Sequence, residues 1–171
     1  MSKQIRPASL KKAPSRSLRI KAYRVIASQL APLSLEGSLK FGGRYNPPYR
    51  FGAIYCARNE ETCWAEIAKR LEGPVKRTRF KVVPIRVRLN RVLDLTDSQV
   101  LSRLKITLRD LTDPNDHTLT RRIAEAAREA GFEAILAPSS AGPGTMLAVF
   151  SDRLDSRSKL TLVKRRKPRQ P

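Results

Sequence analysis

The apolar residues of this chain are collected into short runs of β character, and this pattern restricts it to a fold rich in strands. Gly, Pro, Ser or charged residues separate these runs, and none is long enough to favour a helix on length alone. The predicted strands are residues 21–27, 53–57, 79–89, 91–96, 132–138 and 146–151. Pro84 lies inside the third run, so that strand is expected to lie at an edge or to break there.

Two stretches have helical spacing instead. Residues 59–71 begin with Asn59, a favourable N-cap, and Gly73-Pro74 ends their pattern. Residues 119–130 form the second predicted helix, and residues 97–104 a shorter one. At 171 residues the chain is long enough for one domain with its own core. Strands and helices together predict a single mixed α+β domain.

The length and composition also limit where such a chain can work. No apolar stretch approaches the roughly 20 residues needed to cross a bilayer, so a membrane partner is not expected. The basic N-terminus is not followed by the apolar segment of a secretory signal. Cys56 and Cys63 form no disulfide or metal pattern by spacing, which favours free thiols in a reducing compartment. We expect a cytoplasmic protein.

The net charge of +20 lies mostly near the two ends of the chain. Residues 1–24 contain eight basic residues and residues 156–171 contain seven, with no acid in either, which leaves twenty basic against fifteen acidic groups between them. We predict a flexible basic arm over residues 1–20, a folded domain over 21–155, and a terminal strand with a basic tail over 156–171. Such charge blocks are usually solvated arms, and contact with nucleic acid or an acidic protein is the alternative.

Several common catalytic systems are missing from the sequence. His117, the single histidine, is expected to be an exposed residue in the first turn of a helix. There is no phosphate-binding P-loop and no Gly-rich dinucleotide fingerprint. Neither the Cys and His residues nor the Asp and Glu residues have the spacing of metal ligands, so metal catalysis is not expected.

The residues suited to chemistry lie in GGRYNPP (42–48), in the strand and helix that follow it, and in Pro138-Ser139-Ser140. Arg44 follows two glycines and can hold phosphate oxygens in a fork. Tyr45 and Tyr55 offer flat faces for stacking, and Glu66 stands on the first predicted helix.

Each of these residues also has an ordinary interpretation. Arg44 can be a turn residue, Tyr55 can belong to the core, and Ser139 can satisfy backbone groups in a turn. Glu66 can pair with Arg70 at i,i+4. By itself the pattern therefore predicts only an anion-binding cleft with one carboxylate.

These landmarks, taken in order, resemble the RES-domain toxins of bacterial toxin–antitoxin pairs. The similarity extends from about residue 22 to about residue 150, through AYR, GGRYN, AIYCA, CWAEI, APSS and MLAVF. The resemblance implies a fold like that of the ADP-ribosyltransferase toxins, with a split β core and flanking helices. It also implies NAD as substrate and cleavage of the nicotinamide–ribose bond. The implied partner is an antitoxin with an Xre-type helix-turn-helix, which covers the active site and binds operator DNA.

The resemblance also implies roles for individual residues. Arg24 and Arg44 would hold the diphosphate of NAD, and Tyr55 with Tyr45 would stack on the nicotinamide ring or line its pocket. Glu66 would stabilise the positive charge that develops on the ribose. Ser139 would anchor the nicotinamide amide or orient Glu66, and Ser140 could share that role.

The acceptor of the ADP-ribose group stays open between water, inorganic phosphate and a protein side chain. The arginine content of the site slightly favours phosphate. The competing hypothesis is a basic nucleic-acid-binding protein without catalysis, whose arms neutralise phosphates.

Overall fold

The computed structural model describes residues 5–164. Within them the helices are α1 (Pro7–Lys11), α2 (Glu36–Phe41), α3 (Glu60–Leu71), α4 (Ser98–Leu104), α5 (Leu108–Thr112) and α6 (Thr118–Glu129). The strands are β1 (Arg16–Ala27), β2 (Ile54–Ala57), β3 (Phe80–Asp94), β4 (Ala134–Pro138), β5 (Thr145–Val149) and β6 (Lys159–Leu162). The predicted mixed α+β fold is confirmed.

The strands belong to one sheet whose pairings close on themselves. Strand β1 pairs with both β2 and β3, β2 pairs with β5, and β5 pairs with β4, all antiparallel. Strand β4 then runs parallel to β3, which completes a ring of five strands, and β6 pairs antiparallel with β3. Apolar side chains from every ring strand form one buried cluster, which includes Leu18, Ile54, Ile85, Ala134 and Leu147.

The helices cover the outside of this ring in two places. Apolar residues of α4, α5 and α6 form a second buried cluster with Ile135 and Ala137 of β4 and Ala148 of β5. Helix α3 lies on β1 and β3, where Cys63 and Trp64 pack with Val25 and Phe80. The Asn59 side chain accepts a hydrogen bond from the Thr62 N–H, as the predicted N-cap requires. Helix α3 is thereby fixed beside the edge of the ring.

The structure corrects the prediction of two strands over residues 79–96. They form one strand, β3, which continues through Pro84 without a break. Pro84 pairs with Tyr23 of β1, and its carbonyl accepts a hydrogen bond from the Val163 N–H on the opposite edge. The N–H and the C=O of one strand residue point to the same side of the strand. The N–H that Pro84 lacks would therefore point away from β1, toward the edge where β6 ends at Leu162. For this reason the pairing of β3 with β1 loses no hydrogen bond.

The predicted N-terminal arm also differs from the structure. Residues 7–11 form α1, whose Leu10 is completely buried, and β1 begins at Arg16, five residues before the predicted start of the first strand. A single large apolar residue in a five-residue helix gives no periodic signal, so the sequence pattern could not identify α1. Residues 1–4 of the arm and residues 165–171 of the basic tail lie outside the described residues. Among the described helices, none is long and apolar enough to cross a membrane.

Glu133 directly precedes β4, and its buried carboxylate links this strand to the end of β3 and to the segment before β6. Its side chain accepts hydrogen bonds from the backbone N–H groups of Asn90 (2.7 Å), Arg91 (3.0 Å) and Asp155 (2.8 Å). Burial alone would raise the pKa of Glu133, but these hydrogen bonds together hold the pKa below its ordinary value of 4.5. The ionised form of Glu133 is therefore the one that stabilises the fold.

We expect Glu133→Gln to lower the free energy of unfolding by about 2 kcal/mol at neutral pH, because three N–H groups lose a charged acceptor. A lowered pKa contributes stability that is present above the ordinary value and is lost as the pH falls below it. The difference between the two proteins should therefore shrink below pH 4.5. Urea unfolding of both proteins at neutral pH and at about pH 3.5 measures this difference in the free energy of unfolding. A difference in the free energy of unfolding that stays constant with pH would contradict this account. The matched control is Glu129→Gln, which changes an exposed carboxylate on α6.

Candidate active site

Glu66 lies in the middle of α3 and is held by the loop that follows β4. Its Oε1 atom accepts hydrogen bonds from the Ser139 hydroxyl (2.6 Å), the Ser140 N–H (2.8 Å) and the Ala141 N–H (3.3 Å). The Ser140 hydroxyl lies 3.4 Å from the second carboxylate oxygen. Glu66 is half-buried and forms no ion pair with Arg70 within the described residues. The structure therefore brings together the predicted Glu66 and Ser139, and it places Ser140 beside both.

The GGRYN loop is fixed by Tyr55, which lies on β2. The Tyr55 hydroxyl accepts a hydrogen bond from the Tyr45 N–H (3.0 Å) and donates one to Asn46 Oδ1 (2.8 Å). Asn46 is completely buried, and its amide donates to the carbonyls of Ser38 and Phe51. Burial raises the pKa of Tyr55, although the Tyr45 N–H and nearby arginine charges act in the opposite direction. The phenol of Tyr55 is therefore a neutral support for the loop.

Arg44 leaves this loop in the direction of α5 and α6. Its guanidinium donates to the carbonyls of Leu111 (3.2 Å) and Asp113 (2.8 Å). The Thr120 hydroxyl donates to the Arg44 carbonyl at 2.6 Å. These contacts place a positive charge at the junction of the loop with α5 and α6. We refer to Arg44, Tyr55, Glu66 and Ser139 as the Glu66 site.

Tyr45 does not present the stacking face that the sequence predicted. Its side chain is only 3% exposed and packs in the cluster beneath α4–α6. Its hydroxyl is buried without a hydrogen-bond partner among the described residues. Burial raises the pKa of Tyr45, the charge of Arg44 lowers it and the charge of Glu66 raises it, so the hydroxyl lies near the Glu66 site. A buried hydroxyl without a hydrogen-bond partner is uncommon in folded proteins.

Arg24 also lies in surroundings different from those predicted. It is buried, and its guanidinium donates to the carbonyls of Pro32 (2.9 Å) and Ser34 (2.7 Å). Loss of solvent around the guanidinium lowers the pKa of Arg24. These contacts fix the segment after β1, and within residues 5–164 no hydrogen bond or ion pair joins Arg24 to the Glu66 site. A role in holding a diphosphate is therefore not supported.

Other basic side chains surround the site, and the sequence predicted no role in it for any of them. Lys69 Nζ donates to the Ser140 carbonyl (2.6 Å), and Arg121 Nε donates to the Gly43 carbonyl (3.0 Å). Burial lowers the pKa of His117, and the charges of Arg44, Arg121 and Lys69 act in the same direction while that of Asp116 opposes them, so cations outnumber carboxylates around this half-buried histidine. The positive charge of Arg70 also acts on the Tyr55 hydroxyl.

These cations give the site its electrostatic character. Within residues 5–164 no carboxylate forms an ion pair with Arg44, Lys69, Arg70 or Arg121. Their charge is therefore available to an anion in contact with the Glu66 site. Lys69 and Arg70 stand one turn after Glu66 in the sequence, where Arg70 was considered only as an ion-pair partner of Glu66. Arg121 gives no local signal, since only the packing of α6 brings it to Gly43.

Within residues 5–164, no group of His, Cys, Asp or Glu side chains could hold a metal ion.

Two surface cavities lie elsewhere. One, of about 840 Å³, is next to the first turns of α3, and another, of about 690 Å³, lies on β1, β3 and β6. Neither is lined by Glu66, Tyr55, Arg44 or Ser139. We base the assignment of the site on its carboxylate, its fixed donors and its unneutralised cations, because these groups can act on a substrate, whereas the size of a cavity says nothing about chemistry.

The chain is also similar in sequence to known proteins. The family model described as "RES domain" matches residues 21–166. The chain is 41% identical over 113 residues to the probable NAD(+) phosphorylase Rv3189 of Mycobacterium tuberculosis (strain ATCC 25618 / H37Rv), a match that covers 63% of the chain and 53% of that relative. It is 28% identical over 138 residues to the NAD(+) phosphorylase MbcT of Mycobacterium bovis, covering 77% and 73%.

The fold is also similar to a solved structure. The crystal structure of the M. tuberculosis MbcT–MbcA toxin–antitoxin complex matches with a TM-score of 0.74 at 24% identity. The match covers 92% of this chain and 88% of the other. The likeness therefore extends over most of the chain.

Proposed function

The chain belongs to the RES domain family, and on that basis we propose that it cleaves the nicotinamide–ribose bond of NAD and transfers ADP-ribose to inorganic phosphate. The observation that carries this proposal is the Glu66 carboxylate, which the Ser139 hydroxyl and two backbone N–H groups hold in place beside unneutralised cations. The names of two sequence relatives, one a probable NAD(+) phosphorylase and the other an NAD(+) phosphorylase, support the same reaction.

Glu66 has the central role in the proposed reaction. As the bond between ribose C1″ and the pyridinium nitrogen breaks, its electron pair goes to the nitrogen, and nicotinamide leaves as a neutral ring. The ribose then carries positive charge, which a fixed carboxylate stabilises more in the transition state than in the ground state. A phosphate oxygen forms the new bond to C1″. The leaving nitrogen needs no proton, so the reaction does not require the single histidine.

The cations hold the negatively charged parts of both reactants. NAD carries a diphosphate and the acceptor is itself an anion, so two anionic groups must lie near one carboxylate. Arg44 and Arg121 on one side, with Lys69 and Arg70 on α3, can offset that repulsion. Tyr55 supports the loop that carries Arg44.

The acceptor can be tested by following the products with and without phosphate. We expect the purified chain to form nicotinamide and ADP-ribose-1″-phosphate in equal amounts, at a rate that rises with phosphate. Sulfate, which has a similar charge and shape but is a poor nucleophile, should inhibit in competition with phosphate. Liquid chromatography with mass detection separates the products. Free ADP-ribose at a rate independent of phosphate would contradict the proposed acceptor and indicate water, and added mass on a protein would indicate a side chain.

We further propose that the chain acts as a cytoplasmic toxin that an antitoxin neutralises. The similarity to the MbcT–MbcA complex supports a protein partner, and the family resemblance suggests a helix-turn-helix of the Xre type, through which the complex would bind operator DNA. Such a partner would cover the Glu66 site. Co-purification with the product of an adjacent reading frame, together with loss of NAD cleavage in the complex, tests this part of the proposal.

A further inference from the structure

Five basic side chains stand together on the outer surface of the sheet and take no part in the Glu66 site. They occupy two rows across β1, β3 and β6. The first row is Arg19, Arg88 and Lys159, and the second is Lys21, Arg86 and Thr161. All six residues are exposed. We refer to the five basic residues as the basic sheet face.

This arrangement is unfavourable for the isolated fold. Like charges directly opposite each other on neighbouring strands repel and destabilise the sheet. Within residues 5–164 none of the five side chains forms an ion pair. The nearby Asp155 carboxylate instead accepts hydrogen bonds from the Asn90 amide and from the Arg157 and Ser158 N–H groups. Departures from local stability rules concentrate at functional sites, which favours a ligand for this surface.

The shape and spacing of the surface describe the kind of ligand. A shallow cavity of about 690 Å³ lies over it, and Ser156, Arg157 and Ser158 complete its border. Neighbouring strands lie about 4.8 Å apart, and alternate residues of one strand about 6.7 Å apart. The basic groups therefore form a regular grid with hydroxyl groups at its margin. A polymer with closely spaced negative charges is complementary to such a grid.

We propose that the basic sheet face binds the phosphate backbone of double-stranded DNA independently of sequence. Arg and Lys side chains with Ser and Thr hydroxyls are the groups that commonly contact DNA phosphates. No aromatic side chain lines the cavity. The Tyr23 ring, whose centroid lies 5.2 Å from Lys21 Nζ, packs with the cluster beneath α3, so a free stacking face for single-stranded nucleic acid is missing. Ile20 and Val87 border the cavity, but Val87 is buried and Ile20 packs with the apolar cluster beneath the sheet that contains Val87. Without an apolar anchor, a protein partner is disfavoured.

The chain as a whole adds to this attraction. Its net charge of +20 draws it to polyanions over a distance, and Lys164 follows β6 by two residues. The folded domain, not only its ends, therefore carries a basic surface. This inference does not depend on NAD cleavage, since the basic sheet face and the Glu66 site share no residue.

Fluorescence anisotropy of a labelled duplex of about 20 base pairs and arbitrary sequence tests the proposal. We expect the full chain to bind at about 50 mM salt, and log Kd to rise steeply with log salt. The double variant Arg86→Glu/Arg88→Glu should bind at least about tenfold more weakly, with a shallower salt dependence. Its thermal stability should be equal or higher, because each new carboxylate faces a cation across the sheet.

The matched control is Arg58→Glu/Lys76→Glu, which makes the same change in net charge at exposed positions outside the basic sheet face. This variant should lose less than about threefold in affinity. Equal losses in both variants would overturn the proposal in favour of general charge attraction. Tighter binding to duplex RNA, or displacement of the DNA by polyglutamate at matched charge, would overturn it in favour of an RNA or an acidic protein. Both variants should cleave NAD at the wild-type rate, so this result stands apart from the proposed catalysis.

Discussion

Replacing Glu66 with glutamine is expected to slow nicotinamide release by about 100-fold to 1,000-fold, the cost of losing one fixed electrostatic group in an active site. Glutamine has nearly the same shape, and its amide oxygen can still accept from the Ser139 hydroxyl and the Ser140 N–H. The loop after β4 should therefore stay in place, and only the negative charge is removed. The measurement is the initial rate of nicotinamide formation at saturating NAD and phosphate.

Glu61→Gln is the control for this result, because Glu61 is an exposed carboxylate on the same helix. It should change the rate by less than about twofold. A Glu66→Gln protein that keeps more than about a third of the wild-type rate would exclude Glu66 from the stabilisation of charge in the transition state. Unfolding by urea should give similar midpoints for both variants, which separates a loss of chemistry from a loss of structure.

Gly43→Ala should have the largest effect on stability. A Cβ atom at residue 43 would lie 2.7 Å from Tyr55 Cζ and 2.9 Å from Asn46 Oδ1, and nearer still to the Tyr55 hydroxyl oxygen. The added methyl group must displace Tyr55, which breaks its hydrogen bonds to Tyr45 and Asn46. We expect the free energy of unfolding to fall by about 3 kcal/mol, from overpacking together with unsatisfied buried groups. NAD cleavage should fall as well, since the same loop carries Arg44.

Gly37→Ala is the control for Gly43→Ala, and its free energy of unfolding should change in the opposite direction. Gly37 lies in α2, and a Cβ atom there would meet nothing within 4 Å. Alanine in place of glycine inside a helix should raise the free energy of unfolding by about 0.5–1 kcal/mol. If Gly43→Ala were as stable as the wild type, the close approach of Tyr55 to the GGRYN loop would not be what fixes this loop.

The elements predicted well from the sequence are those with local signals. Helix α3 has a strong N-cap at Asn59 and a Gly-Pro stop, and α6 has a clear apolar period, so both were placed to within a residue or two. Short helices such as α1 and α5 have five residues each and give no periodic signal. The ring closes because β1 pairs with β3, and no local sequence pattern predicts the register of that pairing.

The residues of the site also divide into those with a local sequence signal and those without one. Glu66 and Ser139 were identified through their motifs, although their hydrogen bond joins residues 73 positions apart. The burial of Tyr45 and the contacts of Arg24 with carbonyl groups could not be inferred, because a motif gives residue types and not the direction in which each side chain points. Arg121 and His117 lie near Arg44 only because α6 packs beside the GGRYN loop. Long-range packing therefore decides which basic residues surround the carboxylate.

The most direct test of the central proposal is a time course of NAD with the purified chain and phosphate, followed by proton and phosphorus NMR in one tube. We predict that nicotinamide signals replace those of NAD while a new phosphomonoester signal grows in equal amount. An unchanged NAD spectrum from folded chain, even after addition of a cell extract as a source of protein acceptors, would contradict NAD cleavage at the Glu66 site.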